Sequence, residues 1–369
     1  MQEERIMIAR MIEERKITAE QGLALLDALT RSEDEAVQPA EAVEAAPSTS
    51  GMQDGQAFWE SKWPAFPTEY VEFKVDNASI TYRVWDRDYT QIHVSATSGR
   101  ARGGFDLQRW LEETIKQSHD EDRYKFSLLT EGAEKHQIEA EVTITAPQGQ
   151  AYEMFRLEAE NGNIDVGQLY AETSAFSTTN GNLALESVTC ETVKATSVNG
   201  NVSVNGMTAE EASLLTTNGE ISASGGKYED LNCQTMNGNV HLHDVSAEDI
   251  NSTTVNGNIH TNSRFEDLSC RTQNGNISIH LPEGSEESDV KAETQNGNVE
   301  IRLPDEIAGV YGELRTVHGA VYCSLNGRRH VDMHAEGQPL SVAFRQDEEE
   351  LVHVKASSHN GSVHVSDGK

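Results

Sequence analysis

Asn-Gly recurs in this chain like the marks of a ruler, at Asn161-Gly162, Asn180-Gly181, Asn199-Gly200, Asn218-Gly219, Asn237-Gly238, Asn256-Gly257, Asn274-Gly275 and Asn296-Gly297. The intervals are 19, 19, 19, 19, 19, 18 and 22 residues. His318-Gly319 continues the series 22 residues on, and Asn360-Gly361 repeats it near the end, whereas Asn205-Gly206 and Asn326-Gly327 fall off it and read as ordinary turns. A fixed period near 20 residues implies a solenoid, in which each repeat is one coil that cannot bury its apolar face alone.

Aligning the coils on that Asn assigns a purpose to each position. Two residues before it stands a hydroxyl column, Thr178, Ser197, Thr216, Thr235, Thr254, Thr272, Thr294, Thr316 and Ser358. Three residues after it stand Ile164, Leu183, Val202, Ile221, Val240, Ile259, Ile277, Val299 and Val321. Apolar residues recur four before and five after, so the alternation has period two on both sides of the turn. That pattern means two short strands per coil, each with one face in and one face out.

Gly takes positive φ without steric cost and Asn tolerates the left-handed region, so the dipeptide suits a sharp corner. Asn-Gly also signals an antiparallel hairpin, but the strands are so alike from repeat to repeat that each is expected to stack on its own copy. Stacked coils bring identical side chains to about 4.8 Å, close enough for Asn amides to hydrogen-bond as ladders. The expected fold is therefore mainly β, a parallel β-solenoid with coils of about 19 residues. A hexapeptide helix is disfavoured because 19 is not a multiple of six and no six-residue apolar pattern appears.

The rest of the chain divides around this stretch. Residues 3–31 read as a helical hairpin, with Ile8, Met11 and Ile12 at helical spacing, then a capping box at Thr18-Ala19-Glu20-Gln21 before Leu23, Leu25, Leu26 and Leu29. It is too short to stand alone and should dock on the solenoid, a second copy or a partner. Residues 32–66 have the Glu, Asp, Ala, Pro, Ser and Gly content of a disordered acidic linker. Near its end, Phe58, Trp59, Trp63, Phe66 and Tyr70 are expected to pack on the first coil. The solenoid domain then runs over 67–369, with regular coils at 157–303. A helical insertion at 105–117 carries Leu107, Trp110, Leu111 and Ile115 behind an Asp106 cap, and would cover the first unpaired strand.

Asp and Glu outnumber Lys and Arg by 61 to 29, a net charge of −32. That argues against nucleic acid or an anionic membrane as partner and favours cationic ones. No apolar run approaches the ~18 residues that span a bilayer, and the N-terminus lacks a signal-peptide core, so the expectation is a cytoplasmic protein with no transmembrane insertion. Cys233 and Cys270 share an inward column two coils apart, about 10 Å, which is beyond disulfide reach. They read as small core residues.

The run Met11-Ile12-Glu13-Glu14-Arg15-Lys16-Ile17-Thr18-Ala19-Glu20-Gln21, with Leu25-Leu26-Asp27-Ala28-Leu29, resembles the short N-terminal module of the YvlB and LiaX proteins of Gram-positive bacteria. The Thr-x-Asn-Gly-Asn-apolar-x-apolar coils resemble the adhesin-type domain of unknown function that follows it there. The resemblance implies a role in the cell-envelope stress response, with cationic antimicrobial peptides or a membrane-associated regulatory protein as partner. It also implies surface association or release as the alternative location. The family offers no catalytic residues to carry over.

Catalytic β-helices need clustered carboxylates on one outer face. Four residues after the Asn the outward column runs Asp165, Ala184, Ser203, Ser222, His241, His260, Ser278 and Glu300, with no repeated carboxylate pair. We therefore expect no enzyme, no cofactor and no metal. His241 and His260 share that column and His243 faces the same way, so these three form a candidate outer-face patch, either metal-binding, pH-sensitive or simply solvated. The leading expectation is a non-enzymatic acidic surface for cationic peptides. The alternatives are an intracellular scaffold self-associating through residues 1–31 and a carbohydrate-active enzyme.

Overall fold

Each regular coil consists of a short strand, such as Leu183–Glu186, followed by a long one, such as Thr189–Asn199. Every one of them pairs in parallel with its counterpart a coil away, so that Leu183, Val202, Ile221 and Val240 lie side by side. All four are fully buried, and each contributes about 1.5–3 kcal/mol by leaving water. The chain is thus the parallel β-solenoid that the repeat implies. The computed structural model describes residues 48–53, 56–64, 66–98, 105–129, 138–285, 287–305, 309–325, 328–346 and 352–367. These belong to the second of the chain's two units, Ala45–Lys369. The expected hairpin over 1–31, the linker as far as residue 47, Asn326-Gly327 and the acidic run 347–350 lie outside the described residues.

The Asn-Gly corner is built differently from the expectation. None of Gly162, Gly181, Gly200, Gly219, Gly238, Gly257 and Gly275 has a left-handed φ, and neither does any of the Asn residues. What excludes a side chain is the neighbouring coil: a Cβ on Gly219 would lie 2.0 Å from the Gly200 carbonyl oxygen, and its equivalents meet the same obstacle at 1.8–2.1 Å. The hydroxyl column completes the joint. Thr178, Ser197, Thr216 and their successors each donate to the glycine carbonyl of the adjacent coil at 2.7–3.0 Å.

The left-handed corner sits seven residues after the Asn. Gln168, Ser187, Gly206, Gly225 and Asp244 occupy it with φ of 52–64°. Asn205-Gly206, which looked like a stray turn, is therefore a standard corner in which glycine happens to fill the strained position. A third bend interrupts the long strand, where two exposed residues follow one another, as at Glu210-Glu211 and Glu229-Asp230. Alternation cannot accommodate two outward neighbours without turning the chain.

Stack order departs from chain order at both ends. Next to Asn296 sits Asn360, not His318: the final coil, Val352–Asn360 and Val363–Asp367, pairs with Ser288–Asn296 and Val299–Leu303 on one side and with Val310–Leu325 on the other. The interval of 22 from Asn296 to His318 thus skips a level that the end of the chain fills. At the other end the coil formed by Tyr70–Val75 and Ala78–Trp85 lies between Arg123–Leu128 with Ile138–Pro147 and Ala151–Ala159 with Ile164–Gly167.

Antiparallel strands close both ends, which limits edge-to-edge pairing. Arg328–Gln346 folds back on Val310–Leu325. Ser48–Gln53 pairs with Gln56–Trp63, which pairs with Thr90–Ser98. The linker expected at 32–66 is therefore strand over 48–53 and 56–63. Its alternation buries Ala57, Trp59, Ser61 and Trp63, an apolar face that overrides the polar composition. Trp59, Trp63 and Phe66 do pack as expected, with Phe73, Tyr124 and Phe126 at ring separations of 4.8–5.9 Å. The insertion forms a shorter helix than expected, Leu107–Thr114, capped by Asp106, whose carboxylate accepts from the Arg109 N–H at 3.1 Å. Residues Ile115–His119 continue as a strand.

Candidate binding surfaces

Of the sequence-predicted residues, the Asn-Gly set is brought together in full as a structural ladder. Each Asn Nδ2 donates to the Oδ1 of the Asn one level away, from Asn77 through Asn161, Asn180 and onward to Asn296 and Asn360, at 2.7–2.9 Å. These amides are spent on one another and hold the coils in register, so they are scaffold rather than site.

His241 and His260 lie as expected on neighbouring coils, with ring centroids 6.3 Å apart. His241 Nε2 stands 3.6 Å from Glu220 and His243 Nε2 stands 3.2 Å from Asp244. Partial burial, then the fields of His241, His243 and His280, hold the His260 imidazole below its ordinary pKa. Among the described residues no three His, Cys, Asp or Glu converge to hold a metal. The patch is larger than the sequence reading had it: His280 and His364 occupy the same outer face, reached through Ser278, Glu300 and Arg302.

The carboxylates that the sequence reading sought lie on a different side. At the bend of the long strand, Glu211, Asp230, Asp249, Asp267 and Asp289 stand in one register column. Beside them, one position earlier, run Glu172, Glu191, Glu210, Glu229, Glu248 and Glu266, all exposed. Among the described residues only Asp289 of these eleven has a basic partner, His353, at 2.9 Å. Asp249 is held above its ordinary pKa by slight desolvation, then by Asp267 and Asp230 on either side. Inspecting the offset of four residues from the Asn missed both columns. Offsets of seven and eight residues before the Asn would have shown them.

The four leading glutamates wall an open groove of about 440 Å³. Thr189, Thr208 and Lys227 stand opposite, and Ala171, Cys190, Ala209 and Tyr228 form the floor. At about 4.8 Å per coil it runs some 15 Å along the stack. The arrangement is one an extended chain with alternating basic and apolar side chains would fit, the charges on the wall and the apolar groups on the floor.

The Toastrack DUF4097 family matches residues 69–309, and a SHOCT-like domain matches residues 3–43. No curated protein matches the chain. Among solved structures, a candidate adhesin from Bacteroides fragilis is 11% identical, with 85% of this chain and 100% of that one covered at a TM-score of 0.32. A candidate adhesin from Parabacteroides distasonis is 10% identical, covering 84% and 96% at 0.37. A candidate lipid-binding protein from the same organism is 11% identical, covering 86% and 98% at 0.34. At these TM-scores the superpositions add nothing to the fold read from the strand register.

Proposed function

Because a match over more than half its length makes this chain a member of the Toastrack DUF4097 family, we propose that it serves as a non-enzymatic binding protein whose acidic groove takes up cationic peptide segments. The observation that carries this reading is the pair of carboxylate columns flanking an apolar floor, ten of the eleven carboxylates lacking a basic partner among the described residues. Like charges stacked at coil spacing repel one another. A polycation laid along them relieves that repulsion and releases counterions, which makes the interaction strong at low salt and weak at high salt. Binding cationic antimicrobial peptides, or a basic segment of a membrane-associated regulator during envelope stress, is the role the YvlB and LiaX resemblance supports.

The test is the affinity of a Lys- and Arg-rich peptide for the full chain, read by fluorescence anisotropy. Exposed ion pairs contribute about 0.2–1 kcal/mol each, so neutralising Glu172, Glu191, Glu210 and Glu229 together to Gln should weaken binding about tenfold or more. Neutralising four exposed glutamates elsewhere, such as Glu69, Glu139, Glu153 and Glu300, should leave it within about twofold on the same rule. Equal losses in the two variants, or no binding at low salt, would overturn the reading.

A further inference from the structure

Six of the thirteen histidines gather at the C-terminal half of the short-strand face or its edge. His241 and His260 stack coil on coil, and His243 and His280 lie one column over, with Asn262 between them. His364 pairs in register with Glu300, and both His364 and His334 set their rings edge-on to Tyr322 at 6.0 and 5.9 Å. Around the small Ser278, residues His260, Asn262, His280, Glu300 and Arg302 line a depression of about 300 Å³.

Among the described residues the charges facing these rings are few. Glu220 is 3.6 Å from His241 and Asp244 is 3.2 Å from His243. Glu300 is paired with Arg302 at 3.2 Å, and Asp332 lies opposite Tyr322 in the hairpin. With neutral imidazoles, Glu220, Asp244 and Glu300 against Arg302 leave these groups at −2 among the described residues. Imidazoles ordinarily charge near pH 6.5, and each proton bound adds one positive charge to this face, His260 taking its proton below that range because partial burial and its histidine neighbours hold it down. Three or more such protons reverse the sign of this face, while the chain as a whole, with a sequence pI near 4.7, stays anionic.

We propose that on acidification this histidine face docks against the carboxylate columns of a second copy of the chain. The two surfaces are complementary in charge once the rings are protonated, and both are laid out on the coil spacing of about 4.8 Å, the histidine columns being interrupted by Asn262, Ser278 and Glu300, so two solenoids lying side by side bring several rings against carboxylates at once. Each copy offers one surface of each kind, so the contact is heterologous and continues beyond a dimer. The inference rests on the reading of the carboxylate columns as a surface for cationic groups and extends it to a partner of known sequence.

The experiment is sedimentation velocity of the full chain at about pH 7.5 and about pH 5.8, on either side of the ordinary imidazole range, in salt of about 0.1 M. The mean mass should at least double at the lower pH and return to that of the monomer when salt is raised. A variant with H241Q, H260Q and H280Q should stay monomeric at both, and so should one with E210Q, E211Q, E229Q, D230N and D249N. An equimolar mixture of the two should associate, since each supplies the surface the other lacks. An unchanged wild-type mass overturns the proposal. So does assembly of the histidine variant, which would assign association to near-isoelectric clustering or to residues 1–31. Acid-dependent binding to anionic vesicles without self-association would overturn the choice of partner. Peptide affinity of the histidine variant at the higher pH separates this proposal from the groove reading, because it should be unaltered.

Discussion

Gly219→Ala is the perturbation that most sharply separates two explanations of the repeat. The added methyl would lie 2.0 Å from the Gly200 oxygen and 2.5 Å from its carbon, so the two coils must part by about 1.5 Å to reach an ordinary contact distance. Five bonds cross that joint near the glycine: Thr216 Oγ1 to the Gly200 oxygen at 2.8 Å, Gly200 N to the Asn218 oxygen at 3.2 Å, Asn218 Nδ2 to Asn199 at 2.8 Å, Glu220 N to Asn201 at 2.9 Å and Val202 N to the Glu220 oxygen at 2.9 Å. Losing two or three at about 1 kcal/mol each gives a destabilisation of about 2–3 kcal/mol, in line with other overpacked sites. Gly206→Ala is the control. Its φ is 64° but its nearest neighbour is 3.9 Å away, and Gln168, Ser187 and Asp244 adopt the same conformation in other coils. It should cost about 1 kcal/mol. Urea midpoints followed by far-UV circular dichroism give the comparison, with slopes checked because repeat arrays do not always unfold in one step. If G219A melts with G206A or above it, the close-approach explanation is wrong and backbone conformation governs the turn.

Other outcomes follow from the same geometry. Burial pushes the Cys233 and Cys323 thiols up to about 12 and raises those of Cys190 and Cys270, so Cys233, Cys270 and Cys323, all in the core, should not react with a disulfide reagent at about pH 8 until denaturant is added, when all four should titrate. Ser252, buried between Cys233 and Cys270, has no hydrogen-bond partner for its hydroxyl among the described residues; S252A should be neutral or stabilise by up to about 1 kcal/mol, and a clear loss in thermal melts would reveal a bond the structure does not show. Asp249 has a raised pKa, so its charged form is disfavoured in the folded chain and the associated stability is lost as pH rises through that value; D249N should therefore raise the melting temperature at neutral pH and have no effect in acid where the carboxyl is already protonated. Deleting residues 352–369 removes an interior level and leaves Val310–Leu325 without its parallel partner, so the melting temperature should fall and dye-accessible apolar surface appear; an unchanged melt would refute the stack order.

The coil interior was legible because one inward residue per column repeats down the stack, and the Asn ladder because identical amides recur at one offset. Stack order was not, because all coil interfaces are alike: Asn296 accepts from Asn360 with the same bond that Asn274 forms with Asn296, and nothing in the interval to His318 marks the missing level. The reason for glycine was hidden as well. A residue chosen for left-handed φ and one chosen to let a carbonyl approach look the same in sequence. Gln56–Trp63 shows composition outweighing pattern, since its period-two burial of Ala57, Trp59, Ser61 and Trp63 was present but embedded in residues typical of linkers. The acidic columns were legible in principle and were missed by reading one outward offset instead of all of them.

The central claim, that the groove walled by Glu172, Glu191, Glu210 and Glu229 receives cationic peptide segments, is tested most directly by photo-crosslinking. A Lys- and Arg-rich peptide carrying a photoreactive group is irradiated with the full chain at low salt, and the adducts are located by mass spectrometry. Adducts concentrated on residues 170–173, 189–192, 208–211 and 227–230, and suppressed by salt, are the predicted result. Adducts on the histidine face, or spread evenly over the coils and indifferent to salt, would contradict the account.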